Sequence, residues 1–483
     1  MLESAIYYLA IAWVIAWAIA VFLKSLHMLQ LNMYKNGRQF KWLANNVILF
    51  PSSKKAKKPL VYTPRVKRLL ITSSILLTSF AVLFIFQTPT TYRSLFLLPL
   101  FLFFAEMLPI FANIVNSPIE SAINRGYIND AKRIIASRPD LITIGITGSY
   151  GKTSTKYYLH KLLSAKYNVL MTPESFNTTM GVVKTIRNDL RPTHEIFICE
   201  MGMMWKGDIA ELCEIAKPKH VMLTSIGAQH LETMKSVENI IEEKFSITNT
   251  ITDGICFLNY DNEYINSRAI SKNIIKYGLS ENAADYRASD VKVCESGTSF
   301  TVSTKGEQAT FETSLIGSHN VQNIIGAIAV AHSLKVSFNE LALPVKRLEC
   351  APHRLEVKSA GNNIIIDDSF NSNPAGFKAA LDALSAFEGC RILITPGMVE
   401  LGEKSHSLNK EVGAHAANCA DYALLIGQKQ APPIKEGLLE AGFSADKIHV
   451  FDSFNEGMDF ANKIETSKKK IILIENDLPD NYT

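Results

Sequence analysis

The apolar positions of this chain fall into two regimes. Up to about residue 115 they run together: Ala5–Leu23, Leu69–Phe86 and Leu95–Val115 are stretches dominated by Leu, Ile, Phe, Ala and Val. A spanning helix needs about 20 such residues, with roughly 17–25 the usual range, so the first two predict membrane spans. The third predicts a span with a defect, because Glu106 is costly at membrane depth unless it faces other helices. From Ile142 the apolar runs shorten to strand length, as in ITIGIT, IFIC, CRILIT, YALLIG and KIILI, and helical patterns separate them. That alternation predicts an α/β protein with parallel sheets. The expected organisation is a membrane anchor over 1–125 with three transmembrane helices, a central P-loop ATPase domain over 126–349, and a Rossmann-like C-terminal domain over 350–483.

Charge sharpens the N-terminal reading. The segment Lys24–Arg68 carries Lys24, Lys35, Arg38, Lys41, Lys54, Lys55, Lys57, Lys58, Arg65, Lys67 and Arg68 and no acidic residue. The positive-inside rule places it in the cytoplasm, with Gln87–Ser94 a short outer loop. The expected location is therefore the cell membrane, multi-pass, with the catalytic domains cytoplasmic. Lys54–Lys58 reads as a solvated linker, with anionic membrane lipid as an added partner. The first run lacks a basic n-region and a small-x-small cleavage site, so it reads as an anchor rather than a signal peptide. A formal net charge of +4 gives no reason to expect nucleic acid as a partner. The seven cysteines are scattered, and no two form a CxxC pair, which argues against a disulfide framework or zinc ribbon.

The chemistry begins at the first α/β strand. ITIGITGSYGKTST reads as a strand, a glycine-containing loop and the start of a helix. The spacing G-x-x-x-x-G-K-[ST] is met with Ile146 at its first position, so the match is to a shifted form. Glycines allow backbone N–H groups to approach phosphate oxygens, and the helix turns its positive end toward the anion. Gly148, Ser149, Gly151, Lys152, Thr153 and Ser154 are the candidate ATP-binding residues. Lys152 would reach the β/γ-phosphates and Thr153 would hold Mg²⁺. Glu200 closes an apolar strand, where ligands of α/β sheets gather, and a carboxylate there suits Mg²⁺. Alone, it reads equally well as an exposed strand-end acid. His230 ends a second strand-like stretch, and Lys244 lies on a helix beside Glu242 and Glu243. Each has a plain alternative, a satisfied structural histidine and a surface lysine in a helical salt-bridge pattern.

Together with that loop, FNTTMGV, ICEMGMMWKGDI, LTSIGAQHLETMKSVENIIEEK, SHNVQNIIGAIAVA, PHRLEV, IIDDSFNSNPAGF and TPGMVELGEKS occur in an order that resembles the Mur ligases. The resemblance spans about Asp140–Gly427 and is nearest to the MurF-type branch, which adds D-alanyl-D-alanine. It implies an ATP-dependent carboxylate–amine ligase of cell-envelope peptide synthesis that works through an acyl phosphate. It implies metal ligation by Thr153, Glu200, His230 and a carbamylated Lys244, and adenine contacts at Asn320 and Asn323. His319 would orient that loop. It further implies that Arg354 neutralises the transferring phosphate and that Asp368 bonds ribose or phosphate-bound water. Lys152, Lys244, His230 and Arg354 are then the catalytic candidates. Asn371 and Asn373 read as well as a simple turn before Pro374.

Two departures redirect the substrate. Apolar helices stand where the family's UDP-sugar domain would be, and the late K-G-S run is absent after Ile474-Glu-Asn-Asp. A polymeric acceptor of the poly-γ-glutamate type or a lipid-linked precursor is therefore an alternative to the UDP-linked peptide. An inactive membrane scaffold is a third reading, against which Lys152, Glu200, His230 and Lys244 all argue.

Overall fold

The structure, a computed structural model, describes residues 2–46, 58–87, 93–270, 272–279, 284–294, 297–361, 363–370 and 372–478. It divides into two compact units, Met1–Gly126 and Tyr127–Leu478.

The first unit is helical, with helices Leu2–Leu31, Asn36–Asn45, Pro64–Gln87 and Arg93–Ala136. Proline suits the first turn of Pro64–Gln87, where its missing N–H has no partner to lose. Leu26, Leu29, Val66, Leu69 and Ala112 form one apolar cluster. Polar side chains also join the helices. Arg68 grips Glu120 through Nε at 2.6 Å and Nη2 at 2.9 Å, and Thr72 Oγ1 bonds Asn116 Oδ1 at 2.7 Å. Gln39 donates to Ser25 O at 3.2 Å.

The expected three spans and multi-pass membrane location are corrected by this unit. Among the described residues one segment, Ala12–Leu31, has the length of 20 residues and the mean hydropathy of 1.7 to cross a membrane. Of the Leu69–Phe86 and Leu95–Val115 runs, the side chains of 81, 83–86 and 95–102 lie outside the described residues. Their helices continue into polar stretches whose side chains bond one another, and a run of apolar letters does not reveal that continuation. Lys54, Lys55 and Lys57, assigned above to a lipid partner, lie outside the described residues, as do 88–92 of the expected outer loop.

The second unit holds two sheets. In the first, β1 (Ile142–Thr147), β2 (Val169–Met171), β3 (Ile196–Glu200), β4 (His220–Leu223), β5 (Cys256–Asn259) and β6 (Ile274–Gly278) run parallel. The sheet continues through β7 (Tyr286–Cys294), β8 (Gly297–Thr304) and β9 (Glu307–Thr313), with β8 antiparallel to both β7 and β9, in the order β2-β3-β1-β4-β5-β6-β7-β8-β9. β1 is therefore central, and its burial on both faces explains its unbroken apolar run. Helices Lys152–Leu163 and Ser318–Ser333 cover one face with Tyr158, Leu159, Leu162, Ile324, Ile325 and Ile328.

The second sheet contains β10 (Glu356–Ala360), β11 (Asn363–Asp368), β12 (Cys390–Thr395), β13 (Tyr422–Ile426), β14 (Ile448–Phe451) and β15 (Lys470–Glu475), in the order β10-β11-β15-β12-β13-β14. Only β10 is antiparallel to its neighbour. Two of its helices, Ser405–Ala416 and Ala431–Glu440, cross closely. A Cβ on Gly413 would fall 2.3 Å from Ile434 O, and one on Gly437 would fall 1.9 Å from Lys410 O.

Candidate active site

The phosphate loop connects the carboxyl end of β1 to the helix Lys152–Leu163. Two of its glycines are required by space. A Cβ on Gly148 would fall 2.0 Å from Thr224 Oγ1, and one on Gly151, whose φ is +79°, would fall 2.5 Å from Asn323 Oδ1. The loop after β4 holds the turn in place. Ser149 N–H donates to Ser225 O at 2.8 Å, Ser149 Oγ donates to Gly227 O at 3.0 Å, and Tyr150 N–H donates to Ser225 Oγ at 2.8 Å. Lys152 folds back over the loop, its Nζ 2.6 Å from Gly148 O. Burial lowers the Lys152 pKa to about 8, with Glu200 opposing and the nearby Arg354 charge adding to the shift. Phosphate oxygens at the loop would favour the charged form.

Glu200 ends β3 fully buried. Its Oε1 accepts from Thr153 Oγ1 at 3.1 Å and Asn177 Nδ2 at 3.0 Å. Its Oε2 lies 3.0 Å from Lys156 Nζ. Burial, the largest influence, pushes the carboxyl pKa upward, but Lys156 and Lys152 outweigh it and hold the group below the ordinary value. Lys156 also donates to Glu174 O. Its pKa is lowered by burial against the pull of Glu200.

His230 has left-handed backbone (φ +54°) and places Nδ1 2.6 Å from Glu400 Oε2. A carboxylate on Nδ1 fixes the ring and leaves Nε2 for a ligand, the usual support of a metal-bound imidazole. Glu232 N–H donates to Glu400 O at 3.3 Å, so both groups of Glu400 face this loop. Lys244 is buried, and its pKa is held well below the ordinary value by burial and then by the Lys152 charge, with Glu243 opposing. It is therefore not the surface lysine of the plain alternative. Glu243 is a cap: its carboxylate accepts Gly207 N–H at 2.8 Å and Ile209 N–H at 2.9 Å at the start of helix Asp208–Ala216.

The adenine candidates lie on the helix Ser318–Ser333. Asn320 is buried, its Oδ1 accepting from Tyr158 Oη at 2.7 Å and its Nδ2 donating to Ile316 O at 2.9 Å. Its amide is thus engaged within the core. Asn323 accepts from Thr155 Oγ1 at 3.3 Å and lies beneath Gly151. His319 is pushed down to about 4 by burial, with Asp382 opposing. The open cleft of about 630 Å³ on this side is lined by Tyr260, Asp261, Glu263, Asn266, Leu279 and Gln322. Gln322 is the residue of SHNVQN that faces it.

In the C-terminal part, the Arg354 guanidinium stacks 4.4 Å above the Phe370 ring. Its charge is felt at Lys152, Lys156, Asp368 and Glu475. Asp368 is largely buried, its Oδ1 accepting Leu355 N–H at 3.1 Å. Asn373 caps the helix Pro374–Ser385 by accepting Gly376 N–H at 3.0 Å, which is the turn role. Asn371 lies outside the described residues. Lys156, Asn177, Gln322, Glu400 and Glu475 were not among the sequence candidates. Lys156 alone carried a signal, since it lies one helical turn beyond Lys152.

The model of the Mur ligase middle domain matches residues 146–331, and that of the Mur ligase, glutamate ligase domain matches 353–475. A UDP-N-acetylmuramoyl-tripeptide--D-alanyl-D-alanine ligase of Bacillus subtilis is 34% identical over 335 residues, covering 69% of this chain and 72% of the relative. The Escherichia coli protein of the same name is 30% identical over 293 residues, covering 59% of this chain and 64% of that protein, a little under two thirds of its length. MurF from Thermotoga maritima, solved in complex with ADP, superposes with a TM-score of 0.63 at 27% identity, covering 73% of this chain and 80% of that one. A MurF structure from Acinetobacter baumannii gives 0.67 at 24% identity over 73% and 77%, a likeness of fold.

Proposed function

This chain belongs to the Mur ligase family and is a MurF-like ATP-dependent amide ligase; on that premise we propose that it joins a peptide carboxylate to D-alanyl-D-alanine. One observation carries the reading of the site. The phosphate-loop Lys152, depressed to about 8, and Thr153 both face the buried strand-end carboxylate of Glu200. The acceptor carboxylate oxygen attacks the γ-phosphorus of ATP, the bond to ADP breaks, and an acyl phosphate forms. The amine nitrogen then attacks the acyl carbon, the bond to phosphate oxygen breaks, and phosphate leaves with a proton shed by the amine. Lys152 and Arg354 offset the charge of the migrating phosphoryl group, and the loop N–H groups orient it. Asn323 shapes the loop from below. Asp368 accepts Leu355 N–H and shares a side-chain hydrogen bond with Glu475.

Thr153 and Glu200 offer the hard oxygen donors that Mg²⁺ takes, and His230 offers Nε2. Lys244 fits a metal only as a carbamate, and its depressed pKa supports this, because a neutral amine is the form that takes up CO₂. Mg²⁺, when bound, supplies positive charge to the phosphate oxygens. Residues 1–145 lie outside both family models, which favours a second reading in which the acceptor is not the UDP-linked peptide.

The test is phosphate release from ATP with UDP-N-acetylmuramoyl tripeptide and D-alanyl-D-alanine, supplied singly and together. Release should require both substrates, and Lys152→Ala should lower it by on the order of 10²–10³-fold. Release that ignores the acceptor would sink the ligase reading. Release restored by a different carboxylate would favour the second.

A further inference from the structure

The first unit holds a cavity of about 360 Å³, whose lining includes Lys35, Asn36, Arg65, Asn113, Glu120 and Asn124. It shares no residue with the candidate active site. Its size is that of a small-ligand pocket, roughly 300–1,000 Å³, but such pockets are mostly apolar and this one is mostly polar. Its hydrogen-bonding capacity is unbalanced. Glu120 is the one acid in the lining, and Arg68 occupies both of its oxygens, at 2.6 and 2.9 Å. Arg65 is left over. Its Nε is buried without a hydrogen-bond partner, 4.0 Å from Glu120 Oε2 and so beyond bonding reach. Its Nη2 donates to Asn113 Oδ1 at 3.1 Å, and its guanidinium lies over the Tyr34 ring, 3.9 Å from the centroid. Asn113 Nδ2 donates to Tyr34 O at 2.9 Å and to Asn36 Oδ1 at 2.8 Å, which engages the Asn36 oxygen and leaves its amide N–H groups as donors. Among the described residues Lys35 makes no ion pair. Two cationic groups and spare amide donors therefore face a space in which no acid is free to answer them. Burial lowers the Arg65 pKa, with Glu120 opposing, so its charge is held there against a desolvation cost.

We propose that this cavity binds a phosphate group, as the free ion or as a monoester. The proposal does not rest on the ligase reading. A phosphate carries about −1.5 to −2 charges near neutral pH and three strong acceptor oxygens. That matches two surplus cations, the unfilled Arg65 Nε and the amide donors of Asn36 and Asn124. A carboxylate brings one charge for the two cations. A neutral sugar leaves both uncompensated. The planar guanidinium fork of Arg65 suits phosphate oxygens, and its stacking on Tyr34 fixes the fork in place. Arg65 is the selective element, and the exposed Lys35 draws the anion in.

The experiment is a calorimetric titration of the full chain, with ADP and Mg²⁺ saturating so that the phosphate loop is filled. The probes are inorganic phosphate, glycerol 3-phosphate and dihexanoyl phosphatidic acid, with glycerate as the carboxylate control. The phosphates should bind at a single site, and more weakly as salt is raised. Arg65→Gln should weaken them by about tenfold or more, the effect of losing a hydrogen bond to a charged group. Lys35→Gln should weaken them by about fivefold, the upper value for an exposed ion pair. Lys35 is exposed, so its variant decides the matter if Arg65→Gln does not fold. Equal affinity for the three phosphates, or preference for the inorganic ion, supports the proposal and assigns the free ion. Preference for glycerol 3-phosphate supports it and assigns a small soluble ester, and preference for the dihexanoyl ester supports it and assigns a lipid headgroup. Glycerate binding as tightly as glycerol 3-phosphate overturns the proposal. So does the absence of binding by any phosphate, or an affinity that Arg65→Gln, or in its stead Lys35→Gln, leaves unchanged.

Discussion

Lys156 and Glu200 face each other at 3.0 Å with side chains 0% and 1% exposed. Removing one member of such a pair leaves the other charged and unpaired. Lys156→Met is therefore expected to cost about 3–5 kcal/mol, measured as a shift of the denaturant midpoint. Its sensitivity to pH follows from the carboxyl. Because the Glu200 pKa is lowered on folding, the stability it contributes is whole above its unfolded value of about 4.3 and is lost as pH falls through the folded value. Glu200→Gln should flatten the acid limb of a Tm-against-pH curve. Lys152 behaves in the opposite range. Its folded pKa of about 8 lies below its unfolded value of about 10.4, so the unfolded chain binds more protons between them. Stability measured without nucleotide should rise across that window, and Lys152→Met should abolish the rise. The sequence revealed Glu200 because an acid closing an apolar strand is a visible pattern. Lys156 carried a fainter signal, its place one helical turn beyond Lys152 in KTSTK, and was not singled out by it. Nor did it distinguish Asn320 from Gln322, because only the packing of Tyr158 decides which amide is spent inside.

Elements were legible where period and punctuation agreed. The runs ITIGIT, IFIC, CRILIT, YALLIG and KIILI are strands, and the glycine turn after Thr147 opens a helix. Pairing was not legible. The antiparallel extension β7-β8-β9 consists of alternating, half-polar stretches with no motif to mark them, and it completes the central sheet. The crossing of Ser405–Ala416 with Ala431–Glu440 is equally silent. Gly413 and Gly437 have ordinary helical neighbours in sequence, and only the approach of the partner backbone shows why a side chain is excluded. Since a backbone carbonyl cannot rotate away, Gly413→Ala and Gly437→Ala should each cost about 1–3 kcal/mol by calorimetry, despite the gain in helix propensity.

At the scale of the molecule, the α/β body was readable and the N-terminal region was not. Apolar runs near its start fitted membrane spans by length. The polar contacts Arg68–Glu120 and Thr72–Asn116 connect positions 44 or more residues apart, and no local window contains both partners. The second unit has its own cores around both sheets. A fragment of residues 127–478 should therefore fold without the first unit and keep the nucleotide-dependent rise in Tm of the full chain. ADP at a hundred times its Kd should stabilise it by about 2.7 kcal/mol in a thermal-shift titration, and a fragment that melts broadly with no ADP response would contradict this. The phosphate loop also bears on how the protein is made. Its shape is held by Ser225 and Gly227, which follow Ser149 by more than seventy residues. During synthesis from the ribosome the loop and its helix emerge well before those partners, and β1 waits for both neighbours, β3 and β4, to arrive. Nucleotide cannot serve as an early folding template, so a nascent chain stalled before Gly227 has emerged should ignore ATP, and one stalled after the whole sheet is free should respond to it.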